Sequence, residues 1–128
     1  MPEIRMRRWN DPAEPGDGLR ILVCRYRPRG LPKADETWDQ WMPNLGPSKE
    51  LHAAAYGKIG VALPWPQYRV AYLKEMLQQR DAITELAKRV VAGESITLLC
   101  SSSCDRESRC HRSLLKALIE AEMKRLTE

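Results

Sequence analysis

The sequence lacks the features that mark membrane, fibrous and disordered chains. No apolar stretch approaches the roughly 20 residues that a bilayer-spanning helix needs, so no such helix is expected. No five consecutive residues are Lys or Arg, which excludes a basic nucleic-acid-binding tail. Repeats, low-complexity segments and a dividing linker are also absent, so residues 1–128 are expected to form one domain. Phenylalanine is missing altogether, and four Trp and four Tyr supply the large rings. The opening residues Met1-Pro2-Glu3-Ile4-Arg5 lack the apolar core of a signal peptide. A cytoplasmic protein is therefore expected, with Cys24, Cys100, Cys104 and Cys110 as thiols rather than disulfides.

What is present is an ordinary globular composition. Hydrophobic residues make up 43% and charged residues 30%, too apolar a balance for an intrinsically disordered chain. A chain of 128 residues can bury roughly two-thirds of its unfolded surface, enough for a core without staples. The net charge of +4 favours anionic partners: nucleotides, nucleic acid or phosphorylated metabolites.

Residues 3–9 alternate apolar and polar side chains, as a half-buried strand does. Residues 10–18 are dense in turn formers. Residues 19–24 and 95–100 are short apolar runs rich in β-formers, the signature of central, doubly covered strands. Residues 35–42 fit either a strand or a short helix. Ser48 is placed to cap a helix running to about residue 56, and Pro66 suits the first turn of another, with Leu73, Met76, Leu77 and Arg80 at helical spacing. Ile83, Leu86, Ala87 and Val90 form the buried stripe of a further helix. Leu114, Leu115, Leu118, Ile119, Met123 and Leu126 give the last helix a continuous apolar face. Strands at both ends with helices between them favour parallel pairing. The fold class expected is α/β: a small, mainly parallel sheet flanked by helices in a three-layer, Rossmann-like arrangement.

Asp17-Gly18-Leu19-Arg20-Ile21-Leu22-Val23, Arg25 and Pro28-Arg29-Gly30-Leu31 together resemble the YeaO-like family, domain of unknown function 488. So do Trp38, Trp41, Pro47-Ser48, Glu50-Leu51 and Thr97-Leu98-Leu99, and Cys110-His111-Arg112 is similar to an element of other branches. The resemblance implies a compact α/β domain and brings no assigned reaction with it. Cys24 stands where an acidic residue is usual in the family, and Arg27 where an aromatic is usual.

Three constellations carry chemistry. Cys100-Ser101-Ser102-Ser103-Cys104-Asp105-Arg106 joins a buried strand to a helix. In an open α/β sheet, ligands bind at the carboxyl ends of the strands, where helix amides attract anions. Ser101, Ser102 and Ser103 add hydroxyl donors, and Arg106 adds fixed charge. Cys100 to Arg106 also has the Cys-x5-Arg spacing of cysteine-dependent phosphatases, similar to the loop in rhodanese-like sulfurtransferases, where an Arg grips the oxyanion beside a thiolate. The loop has no Gly to wrap an anion. Cys100 as nucleophile is therefore the alternative reading, and His111, an imidazole that titrates near neutrality beside the proposed anion site, is the second catalytic candidate.

The second constellation is Cys100, Cys104, Cys110 and His111. Its spacing departs from paired Cys-x2-Cys knuckles, and neighbouring helical residues diverge by about 100°. No metal site and no cofactor are expected. The third is the loop Arg25-Tyr26-Arg27-Pro28-Arg29-Gly30, whose guanidinium forks suit phosphate or carboxylate. If the two central strands are parallel neighbours, Arg25, Arg27 and Arg29 meet Ser101–Ser103, Arg106 and Arg112 at one sheet edge. The function expected is binding of a small phosphate- or nucleotide-type anion there, with an enzymatic role left open. A thiol redox or phosphatase-like enzyme using Cys100 and a non-enzymatic nucleic-acid binder are the two alternatives. His52, Trp9, Trp38, Trp41 and Trp65 are expected in surface, core or lid roles.

Overall fold

A computed structural model describes residues 3–58, 60–101 and 110–128. It contains a four-stranded, wholly parallel sheet in the order β1-β4-β2-β3, formed by β1 (Ile4–Arg8), β2 (Leu19–Leu22), β3 (Gln40–Trp41) and β4 (Ile96–Cys100). The helices are α1 (Lys49–Ala55), α2 (Trp65–Met76), α3 (Arg80–Val91) and α4 (His111–Thr127). The small parallel α/β architecture read from the sequence is therefore present. The ambiguous stretch at 35–42 is mixed, with a 3-10 turn at Lys33–Asp35 followed by the two-residue strand β3.

Burial explains the strand order. All five residues of β4 are buried, which suits a strand with neighbours on both sides. β1 and β3 are edges, and each is correspondingly polar: β1 carries three arginines, and both residues of β3 are exposed. On one face, Ile4, Ile21, Val23, Ile96 and Leu98 join a single apolar cluster with Leu51, Tyr72, Ile83, Leu86, Leu115 and Ile119 from the four helices. At about 25 cal/mol per Å² of apolar burial, this cluster is the main driving force for folding.

The buried stripe of α3 is the one read from its periodicity, Ile83, Leu86, Ala87 and Val90. On α2 the inward face is instead Tyr68, Tyr72 and Met76, while Leu77 is exposed. Tyrosine can line a core provided its hydroxyl finds a partner, and the Tyr72 hydroxyl donates to the Leu45 carbonyl at 2.7 Å. Ser48 caps α1 as expected, accepting from the Leu51 amide at 3.1 Å. Its own amide donates to Glu75 of α2 at 2.8 Å, tying the two helices together.

The opposite face of the sheet carries Arg20 and Thr97 beside Leu22 and Leu99, by the alternation of side chains along a strand. Loop segments lie against it. Buried Arg20 donates to Asp17 at 2.6 Å, to the Thr37 carbonyl at 2.8 Å and to the Asp11 carbonyl at 2.9 Å. Thr97 donates to the Asp17 carbonyl at 2.7 Å. Gly18, at φ +63°, allows this close approach, since a Cβ there would lie 2.0 Å from the Ser95 carbonyl oxygen. The β1–β2 connection is thereby pinned across the sheet. It begins at Trp9, whose amide donates to the Cys100 carbonyl at 2.8 Å.

Candidate functional site

β2 and β4 are parallel neighbours, so the segments that leave their carboxyl ends emerge side by side. A cleft of about 1110 Å³ opens at this edge, slightly above the roughly 300–1,000 Å³ usual for small-molecule pockets. Arg25, Arg27 and Arg29 line it together with Cys100, Ser101 and His111. The arginine loop after β2 and the first residue after β4 therefore face one cavity. Ser102, Ser103, Cys104 and Arg106 lie outside the described residues. Arg112 is not brought to the cleft: it is buried, and its guanidinium donates to the Arg7 carbonyl at the end of β1.

Charge is distributed unevenly in the cleft. Among the described residues its walls carry four cationic side chains, Arg25, Arg27, Arg29 and Lys58, and no carboxylate. Arg25 donates to the Pro47 carbonyl at 2.8 Å and the Asn44 side-chain oxygen at 3.3 Å, both neutral acceptors that orient the guanidinium and leave its charge intact. Arg27 differs. It pairs with Glu36 at 2.5 Å and lies 5.7 Å from the Trp38 ring, so its charge is largely answered inside the protein. Sequence spacing treats the three arginines alike; the tertiary partner of Arg27 separates it from the others.

Two backbone contacts hold the arginine loop. Trp41 of β3 donates its indole N–H to the Cys24 carbonyl at 2.8 Å. Gly46 packs so closely that a Cβ there would lie 2.6 Å from the Arg25 amide and 2.9 Å from the Val23 carbonyl oxygen.

The floor of the cleft is sulfur-rich. Cys24 and Cys100 sulfurs are 3.8 Å apart, and Cys110 is 3.3 Å from Cys100. His111, the first residue of α4, places Nε2 2.7 Å from the Val23 carbonyl. A carbonyl only accepts, so Nε2 carries the proton of this bond. Cys24, Cys100 and His111 bring their sulfur and nitrogen atoms within 4.8 Å of one another. Sequence reasoning grouped the cysteines around 100–110 and missed Cys24, which is remote along the chain.

The walls are aromatic. His52 lies between Tyr26, at 5.0 Å in an edge contact, and Tyr56, at 4.6 Å. It lines the cleft rather than the open surface, and burial first, then Lys58, holds its imidazole below the ordinary value. Trp65, Tyr68 and Tyr72 continue as a ladder of rings down to His111. Trp9, Trp41 and Trp65 line the cleft. No helix among the described residues is long and apolar enough to cross a membrane.

The chain is similar in sequence to known proteins of one family. A family model described as the active DUF488-N3 subclade matches residues 4–123. The uncharacterized protein YeaO of Escherichia coli is 37% identical over 99 residues, covering 77% of this chain and 83% of that protein. Uncharacterized proteins of Mycobacterium bovis and Mycobacterium tuberculosis are 40% identical over 116 residues, covering 91% of this chain and 92% of theirs. No solved structure gives a significant match.

Proposed function

The chain belongs to the YeaO-like DUF488 family, and from that premise we propose that its cleft binds a small phosphorylated, nucleotide-like anion. One observation carries the reading: of the four cationic side chains that line the cleft, only Arg27 is paired with a carboxylate among the described residues. Confining like charges beside one another is unfavourable until an anion joins them. A charge-assisted hydrogen bond to phosphate is worth about 1.5–3 kcal/mol. In this reading Arg25 and Arg29 grip the phosphate, Ser101 contributes at its edge, and Cys100 and His111 face the bound group from below.

The rings favour a nucleotide over a bare phosphate. Trp9, Tyr26, Trp41, Tyr56, Trp65 and Tyr68 all line the cleft, and stacking a base on an aromatic ring is worth about 1–3 kcal/mol. The test is an equilibrium titration with inorganic phosphate, a nucleoside monophosphate and the free nucleoside, followed by tryptophan fluorescence. Saturable binding, tightest for the nucleotide and weakened by salt, is expected. Absence of saturable binding to all three at millimolar concentration would overturn the reading.

A further inference from the structure

Cys24, Cys100 and His111 reach the cleft floor from three separate places: the segment after β2, the last residue of β4 and the first residue of α4. We propose that they form a zinc site on the cleft floor, with these three as its ligands among the described residues.

The argument begins with spacing. Zinc holds thiolate at about 2.3 Å with tetrahedral angles, which sets the sulfur–sulfur edge at about 3.8 Å. The Cys24 and Cys100 sulfurs stand 3.8 Å apart, and all three donor atoms lie within 4.8 Å of one another. The pair therefore needs little rearrangement to take up an ion. Cys110 sits only 3.3 Å from Cys100, shorter than that edge, and falls outside the three-donor group.

The imidazole is held as a ligand imidazole should be. Zinc-binding histidines donate their second ring N–H to a carbonyl or carboxylate, which fixes the tautomer and ring orientation. His111 Nε2 makes such a bond to the Val23 carbonyl at 2.7 Å, and in the proposed site Nδ1 is the nitrogen that meets the metal. Val23 is the neighbour of Cys24 in the chain, so one strand end supplies both a ligand and the anchor of another.

Charge also balances. Two thiolates and a neutral imidazole cancel the charge of Zn²⁺, so the loaded site adds no cation to an already basic cleft. Cys100 and His111 are buried and Cys24 is half-buried, so access is from the cleft side. Three protein ligands with one open position is the pattern of zinc sites that act on a bound molecule, whereas structural sites are closed by four. With three ligands among the described residues the site has the first pattern, and it faces the arginine-lined cavity. This last point rests on the anion-binding reading; the metal site itself does not.

The test uses the full chain, reduced with a phosphine and stripped of metal, titrated with Co²⁺ as a spectroscopic stand-in for Zn²⁺. The expected result is one equivalent of Co²⁺ bound, with a thiolate charge-transfer band in the near ultraviolet, intense tetrahedral visible bands, and displacement by Zn²⁺. Cys24→Ser should remove about half of the charge-transfer intensity and weaken binding at least about tenfold, whereas Cys110→Ser should leave both unchanged. As a measurement that needs no variant, Zn²⁺ should protect Cys24 and Cys100 of the native chain from iodoacetamide. No charge-transfer band, or equal labelling of Cys24 with and without Zn²⁺, overturns the site. Phosphate and nucleotide titrations of metal-free protein report on the anion reading separately.

Discussion

The Cys24 and Cys100 sulfurs lie 3.8 Å apart although 76 positions separate them in the chain. Parallel pairing of β2 with β4 accounts for the meeting, because both thiols leave the same edge of the sheet. Burial then distinguishes them, Cys100 being buried and Cys24 half-buried. In metal-free, reduced protein, iodoacetamide should modify Cys24 at least several-fold faster than Cys100 or Cys110. Peptide mapping by mass spectrometry reads the order directly. Fastest labelling at Cys100 would instead mark a thiolate at that position and favour the nucleophile reading of the loop.

The three cleft arginines should respond unequally to substitution. Arg25→Gln and Arg29→Gln each remove a cation that no carboxylate among the described residues offsets, and each should weaken nucleotide binding about tenfold or more. Arg27→Gln should affect binding less, because Glu36 and Trp38 already engage that guanidinium. Calorimetric titration of the three variants provides the comparison.

Gly46→Ala tests how the arginine loop is positioned. The added methyl would meet the Arg25 amide at 2.6 Å, and backbone there has no flexible end to move aside. A loss of about 1–3 kcal/mol is expected from overpacking, with ligand affinity reduced beyond what stability alone explains. Urea unfolding and ligand titration of the same variant separate the two effects.

Asp17 organises the second face of the sheet. Burial alone would raise its pKa, but the Glu14 amide and the Arg20 and Arg5 guanidiniums outweigh it, so its carboxyl titrates below the ordinary 3.8. Its contribution to stability is present above that unfolded value and is lost as pH falls through the lower folded value. Asp17→Asn leaves Arg20 buried without its ionic partner and should cost about 3–5 kcal/mol. Thermal unfolding of wild type and variant between neutral and acid pH checks both magnitude and sign.

His52 gives a second pH signature. Its folded pKa lies below the ordinary 6.5, so the unfolded chain binds the proton more readily. Stability is full above the unfolded value and declines as pH falls toward the folded one. An anion bound in the cleft should raise the His52 pKa, because protonation then adds an attractive charge. Imidazole proton chemical shifts, followed through a pH titration with and without ligand, measure the change.

Much of the architecture was readable in the residues. The runs at 19–24 and 95–100 are apolar because β2 and β4 are inner strands, and the parallel rule alone brings Arg25–Arg29 and Ser101 to one edge. The α3 stripe follows from its period of 3.6. Other features depend on contacts between remote segments, which leave no local pattern. The Arg27–Glu36 pair, the aim of Arg112 at the Arg7 carbonyl and the approach of Cys24 to Cys100 are of this kind. His52 looked like a surface residue because nothing near it in sequence shows that Tyr26 will close over it. On α2 the leucines drew attention from Tyr68 and Tyr72, whose hydroxyls disguise a core face.

The most direct test of the central claim is a crystal structure of the chain grown with a nucleoside monophosphate. The account predicts the phosphate within hydrogen-bond distance of Arg25 or Arg29 and the base against the rings that line the cleft. A well-ordered ligand bound elsewhere on the surface, with the cleft holding only solvent, would contradict it.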